Sequence, residues 1–209
     1  MSSFFSPAKI NLGLRVLNKR EDGYHNLHSL FVEVALSDEL IFSPADKFRL
    51  NVAGSDIVEM SLDETNLISK AYRLIKKIAK SVPIEYTIYL KKQIPIGGGL
   101  GGGSSNAATT LTALNQLWKL NLEFDELENM GKFLGADIPF FIRGGVQMAE
   151  GIGDILSPVD PSPMKDLQFL LVVPPIHIST PWAYGKLNKT LQPHIGYPKF
   201  APLSEPMNW

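Results

Sequence analysis

Apolar residues recur along this chain with two different periods, and the switches between them mark the elements. Residues 8 to 17 (AKINLGLRVL) alternate apolar and polar positions in places, which suits a strand. Leu30 to Leu36 and then Glu39 to Phe42 suit a second and a third strand. Between 66 and 80 the spacing becomes helical: Leu67, Ala71, Leu74, Ile75 and Ile78 share a face, and Asp63 and Thr65 stand ready to cap its start. Tyr86, Ile88 and Leu90 alternate with Glu85, Thr87 and Tyr89, again a strand. Ala107, Leu111, Leu114 and Trp118 trace one face of a helix. Leu127, Met130 and Leu134 trace another, over 120 to 134, which Gly135 ends. The short apolar run Phe169 to Val173 predicts a buried strand. Strands and helices are mixed without a regular βαβ beat, so the pattern predicts an α+β fold rather than a doubly wound sheet.

Punctuation divides the chain unevenly. Ten of the 15 prolines lie at or after Pro158, against two of the 17 glycines, Gly185 and Gly196. Proline breaks helices and interior strands, so residues 1–156 read as a compact domain and 157–209 as a different unit. The stretch from Gln192 to Trp209 shows no period and reads as an irregular tail. At 209 residues the chain is about 1.4 times the ~150-residue domain prior. A hydrophobic share of 44% with 20% charged residues excludes a disordered or collagen-like chain. Lys plus Arg number 20 and Asp plus Glu 21, a net charge of −1. Such a balance predicts neither nucleic acid nor an anionic membrane as partner, and any phosphate must be held locally. With no cysteine there are no disulfides, thiolate metal sites or thiol nucleophiles. The N-terminus does not read as a secretory signal and no apolar run is long enough to span a bilayer, so the expectation is a soluble cytoplasmic protein.

The densest chemical signal is the run Gly97-Gly98-Gly99-Leu100-Gly101-Gly102-Gly103-Ser104-Ser105. Each glycine costs roughly 0.5–1 kcal/mol against alanine inside an element. Six of them in seven positions point to backbone that must approach a ligand closely. The run follows a strand and opens a helix, whose N-terminal N–H groups and partial positive charge form an anion site. Ser104 and Ser105 add hydroxyls that could cap the helix, contact phosphate or help hold a metal. No lysine follows the glycines, which excludes a Walker loop. Gly97, Gly99 and Gly102 satisfy G-x-G-x-x-G literally, but a helix follows where a dinucleotide fold needs a strand. The catalytic loop and metal-binding segment of a protein kinase are absent.

At this loop the sequence resembles the GHMP kinases (galactokinase, homoserine kinase, mevalonate kinase and relatives), in the stretch Pro95 to Ala108. Two further segments fit one branch of that family: Ser6-Pro7-Ala8-Lys9-Ile10-Asn11-Leu12 followed by Arg20-Glu21-Asp22-Gly23-Tyr24-His25, and Leu134-Gly135-Ala136-Asp137-Ile138-Pro139-Phe140-Phe141. The resemblance runs over residues 6 to about 185. It implies an N-terminal ribosomal-protein-S5-domain-2-like unit and the beginning of a ferredoxin-like C-terminal domain. It further implies ATP-dependent phosphorylation of the 2-hydroxyl of a cytidine-diphosphate ester of methylerythritol, in non-mevalonate isoprenoid synthesis.

Roles follow from the resemblance residue by residue. Pro95, Ile96, Gly97, Gly98, Gly99, Leu100, Gly101, Gly102, Gly103, Ser104 and Ser105 would wrap ATP, with Asn66 on the adenine side. Asp137 would be the general base and Lys9 the cation beside it. Asn11, Tyr24, His25 and Tyr184 would bind the cytidine-diphosphate substrate, Tyr184 from the opposite side of the base. Mg²⁺ would arrive with ATP, with no protein metal site of its own. Without the resemblance, Asp137 reads rather as a solvated helix-end acid and Lys9 as a solvated strand lysine, while Tyr24 and His25 could be a packed tyrosine and a surface histidine, and Asn66 an N-cap. His28, His177 and His194 match no metal spacing. Family members also carry a third glycine-rich motif. After Gly153 no two glycines here lie within five residues, which predicts an incomplete C-terminal domain. That departure keeps open a nucleotide binder with impaired catalysis; the other alternative, another small-molecule GHMP kinase such as mevalonate kinase, has Tyr24-His25 and the triple-glycine loop against it.

Overall fold

The alternating segments at the start of the chain join into one long hairpin. The structure, a computed structural model, describes residues 1–53, 61–79, 82, 84–174 and 180–187. His177, His194 and the stretch Gln192 to Trp209 lie outside these residues. Strand β1 is Ser2–Lys19 and β2 is His25–Ala45, paired antiparallel along nearly their whole length. Asp22-Gly23 makes the turn between them: Gly23 has φ +87°, and the Asp22 carboxylate accepts from Tyr24 N at 3.1 Å. The two strands expected at 30–36 and 39–42 are thus a single one. The polar pair Ser37-Asp38 reads as a gap, yet the strand continues because Asp38 turns inward and finds donors.

The other elements are β3 (Arg49–Ala53), α1 (Leu67–Ile78), β4 (Glu85–Lys91), α2 (Gly102–Leu117), α3 (Phe124–Lys132), α4 (Ile138–Arg143), β5 (Val146–Glu150), β6 (Ile155–Pro158), a 3₁₀ turn at Ser162–Met164 and α5 (Thr180–Gly185). One six-stranded sheet runs β3-β4-β2-β5-β6, with β1 on the far edge of β2. All pairs are antiparallel except β3 with β4, as expected for α+β. The last strand ends at Pro158, so the boundary expected at 156 falls inside it.

The main core lies between the β2–β4 half of the sheet and helices α1, α2, α3 and α4. In α2 the predicted face is the buried one: Ala107, Leu111, Leu114 and Trp118. In α1 the buried stripe is Ile68, Ala71, Tyr72 and Ile75, while Ile78 is exposed. Tyr72 takes the inward place because its hydroxyl is provided for, donating to Glu85 Oε2 at 2.6 Å and accepting from Tyr86 N at 3.1 Å. The helix expected from 120 starts at Phe124 instead. Lys119 and Asn121 adopt left-handed φ of 53° and 56°, and a Glu123–Glu126 capping box sets the start.

Phe169 to Val173 is neither strand nor buried: Leu170 is 90% exposed. Among the described residues no strand pairs with it, and within the run it is Leu171 that packs on the small cluster of Ala8, Ile94 and Leu100. An apolar run becomes a buried strand only where a partner edge is offered.

Asn66, rather than Asp63 or Thr65, caps α1. Its Oδ1 accepts from Ile68 N at 2.9 Å and its Nδ2 donates to Ser61 O at 2.7 Å. Asp63 instead closes the preceding turn, accepting from Thr65 N at 2.7 Å. Asn66→Ala is expected to cost about 1 kcal/mol. The fall should appear as a lower urea midpoint at unchanged slope, with Asn66→Ser close to wild type.

Candidate active site

The glycine run does what its composition demands of the backbone. Gly97, Gly99 and Gly101 have φ of 74°, 69° and 70°, a left-handed conformation repeated at alternate positions. Gly101 is the N-cap of α2, and its carbonyl accepts from Ser105 N at 2.8 Å. By helix geometry the N–H groups of Gly102, Gly103 and Ser104 have no intrahelical acceptor. All three residues line a cleft of about 390 Å³, a size suited to a small-molecule ligand. Asn66 and every residue from Pro95 to Ser104 also line it, with Lys92 and Asn106. Ser105 does not. The helix turns it inward, where it is buried and accepts from Ser6 Oγ at 2.8 Å. The sequence expectation for Ser105 is corrected accordingly: it braces the loop from behind.

Lys9 stands against this loop. Its backbone N–H donates to Leu100 O at 2.9 Å, which ties β1 to the glycine run. Its Nζ donates to Asn11 Oδ1 at 2.7 Å, lies 3.6 Å from Asp137 Oδ2, and sits 4.6 Å from the centroid of the Phe31 ring. The Lys9 side chain is 6% exposed and that of Asp137 34%. A solvated strand lysine is therefore excluded; this is a buried cation beside a partly exposed carboxylate. Asp137 immediately precedes α4, whose Phe141 packs onto Gly101. A Cβ built on Gly101 would fall 2.7 Å from Phe141 Cζ and 3.2 Å from Lys9 Cγ. Glycine loop, cation and carboxylate thus meet at one point.

The substrate-side residues are brought together in part. The rings of His25 and Tyr184 lie 5.6 Å apart between centroids, tilted by 38°. Burial, and then the negative charge of Asp137, raise the Tyr184 hydroxyl above the ordinary tyrosine pKa. Asn11 is held by Lys9. Tyr24 is exposed at the hairpin turn, next to His25 in the chain. His28 is buried within β2. Among the described residues no group of three His, Cys, Asp or Glu could hold a metal ion, and no helix is long and apolar enough to cross a membrane.

Sequence reasoning missed the polar residues behind the site. Asp38, Lys92, Asn106 and Ser6 form a buried network under the glycine loop. Gln147 Nε2 holds the end of α4 through Phe140 O at 3.1 Å and Gly144 O at 2.9 Å. A lysine just after a strand and an asparagine inside the glycine-loop motif were the available signals.

The comparisons with known proteins agree with this geometry. The family described as GHMP kinases N terminal domain matches residues 66–145. A relative from Syntrophus aciditrophicus (strain SB) is 43% identical over 209 residues, covering 98% of this chain and 73% of its own. One from Bacteroides thetaiotaomicron is 47% identical over 188 residues, covering 88% and 67%. The chain belongs to the GHMP kinase family. Its place there is the branch of the 4-diphosphocytidyl-2-C-methyl-D-erythritol kinases, the name both relatives carry. A third so named, from Hahella chejuensis (strain KCTC 2396), is 45% identical over 182 residues. The chain spans about 60% of the length of that relative. A crystal structure of 4-(cytidine 5'-diphospho)-2C-methyl-D-erythritol kinase is 40% identical, with TM-score 0.64, covering 76% of this chain and 55% of that one. A mevalonate kinase at 16% identity and TM-score 0.58 shares the fold.

Proposed function

We propose that this chain binds ATP along the glycine-lined cleft and transfers its γ-phosphoryl group to the 2-hydroxyl of 4-diphosphocytidyl-2-C-methyl-D-erythritol. The observation that carries the reading is the Lys9–Asp137 pair, 3.6 Å apart and pressed against the loop by Gly101. Phosphoryl transfer asks a protein mainly for positioning and electrostatics. Asp137 accepts the hydroxyl proton as the substrate oxygen attacks the γ-phosphorus and ADP departs. Lys9, fixed by Asn11 and Phe31, orients Asp137 and offsets the charge developing on the transferred group. The N–H groups of Gly102, Gly103 and Ser104 hold phosphate oxygens. Mg²⁺ is a hard cation that the nucleotide's own oxygens can hold. Ser104 lines the cleft and offers a hydroxyl to an ion carried in with ATP. The cytosine packs against Tyr184 with His25 at its polar edge, and Tyr24 reaches it from the turn. On the same resemblance, residues 157–209 belong to a second, ferredoxin-like domain, and the protein works in the cytoplasm.

A coupled ADP-release assay tests this with the cytidine-diphosphate substrate and with mevalonate. ADP release on the first alone is the expected result. Activity confined to mevalonate would overturn the branch-specific reading, and tight ATP binding without turnover on either would leave a nucleotide binder.

A further inference from the structure

Where the chain enters the glycine loop lies a charge pair, Asp38 and Lys92, that the chemistry above does not use. Asp38, in the middle of β2, is 0% exposed. Its Oδ1 accepts from Gln93 N at 2.7 Å, Ile94 N at 2.8 Å and Lys92 Nζ at 3.1 Å. Its Oδ2 accepts from Lys92 Nζ at 2.8 Å and Asn106 Nδ2 at 2.9 Å. One carboxylate therefore holds the segment entering the glycine run and the helix leaving it. Lys92 Nζ donates to both oxygens of Asp38 and also to Ile94 O. Its three protons have three acceptors, so Lys92 shapes the cleft it lines without a proton left for a ligand. The loop rests on this ammonium: a Cβ built on Gly102 would lie 3.1 Å from it.

We propose that Asp38 is a positioning residue for nucleotide binding, which rests on reading the cleft as the ATP site. It clamps both ends of the loop so that the N–H groups between 97 and 104 point into the cleft before any nucleotide arrives. Stability alone does not account for the pair. Two buried charges pay a desolvation cost that apolar residues of similar volume avoid. What an apolar pair cannot supply is an acceptor for Gln93 N, Ile94 N and Asn106 at once. The affinity gained comes from ordering done in advance.

Two measurements test the clamp: amide hydrogen exchange in the free protein, and binding of a fluorescent ATP analogue. In the wild type the Gln93 and Ile94 amides should exchange as slowly as core amides of β4. Asp38→Asn leaves Lys92 with a buried, poorly compensated charge and is expected to lower the melting temperature. D38L/K92M removes both charges and should regain most of that loss. In the double variant the loop amides should nevertheless exchange at least about tenfold faster, and the analogue should bind at least about tenfold more weakly. A double variant with wild-type loop protection would overturn the proposal. Gln93 and Ile94 amides that exchange in the wild type at the rate of exposed loop amides would overturn it without any variant. Failure of the wild type to bind the analogue would instead remove the ATP reading, and loop exchange would still decide whether Asp38 holds the loop.

Discussion

Asp137→Asn is expected to lower phosphoryl transfer roughly 10²–10⁴-fold while nucleotide binding persists. The substitution keeps the shape of the side chain and removes its capacity to accept a proton. The position does not sit among the loop residues that line the nucleotide cleft, so ATP affinity has no direct reason to change. Lys9 keeps its bond to Asn11 and its place over Phe31, which confines the effect to the proton and to the orientation of the pair. Single-turnover rates with saturating ATP, beside equilibrium nucleotide binding, separate the two. A variant with the full rate would remove Asp137 from the chemistry.

Gly101→Ala is expected to damage both stability and nucleotide binding, and to do so far more than Gly99→Ala. At both positions φ is near +70°, which costs an L-residue roughly 1–2 kcal/mol. Gly99 faces open space, so that is its whole cost. At Gly101 the new methyl would also press on Phe141 and on the Lys9 side chain. Overpacking typically adds about 1–3 kcal/mol. Relief requires the loop to lift away from α4, moving the Lys9–Asp137 pair and the N-terminus of α2 apart. Urea midpoints and ATP affinity of the two variants, compared side by side, read this directly. Equal behaviour would mean that Phe141 yields without cost.

The difference between what the sequence reveals and what it hides follows from how local each cause is. The glycine run is legible because backbone conformation is set by adjacent residues, and three alternating left-handed glycines are hard to mistake. Lys9 and Asp137 are legible as members of motifs, but nothing in either motif brings them together. Their meeting depends on β1 reaching Leu100 and on α4 packing against Gly101. Ser105 fails for a related reason: one residue's rotation along α2 separates a hydroxyl in the cleft from one bonded to Ser6. Asp38 is concealed most thoroughly. A polar pair inside an apolar stretch looks like an interruption, and its five donor contacts come from residues more than fifty positions later. Phe169 to Val173 errs in the other direction, since composition alone cannot supply the neighbouring strand that a buried one needs. In α1 Ala71 and Ile75 are buried as the periodicity predicts, but the stripe also takes in Tyr72, which has partners for its hydroxyl that no hydrophobicity pattern records.

Strand β2 has a consequence for the birth of the molecule. It carries β1 on one edge and, in succession, β4 and β5 on the other. During synthesis the hairpin is complete once residue 45 has emerged, whereas its second edge is not covered until residues 85–91 and then 146–150 follow. Through that interval a long edge bearing Leu30, Phe31, Val32, Leu40 and Phe42 offers its unpaired backbone to any neighbouring chain. Closure of these distant pairings, rather than formation of the hairpin, is expected to set the pace of folding. Chaperone dependence and misassembly of nascent chains should therefore be concentrated before β5 leaves the ribosome.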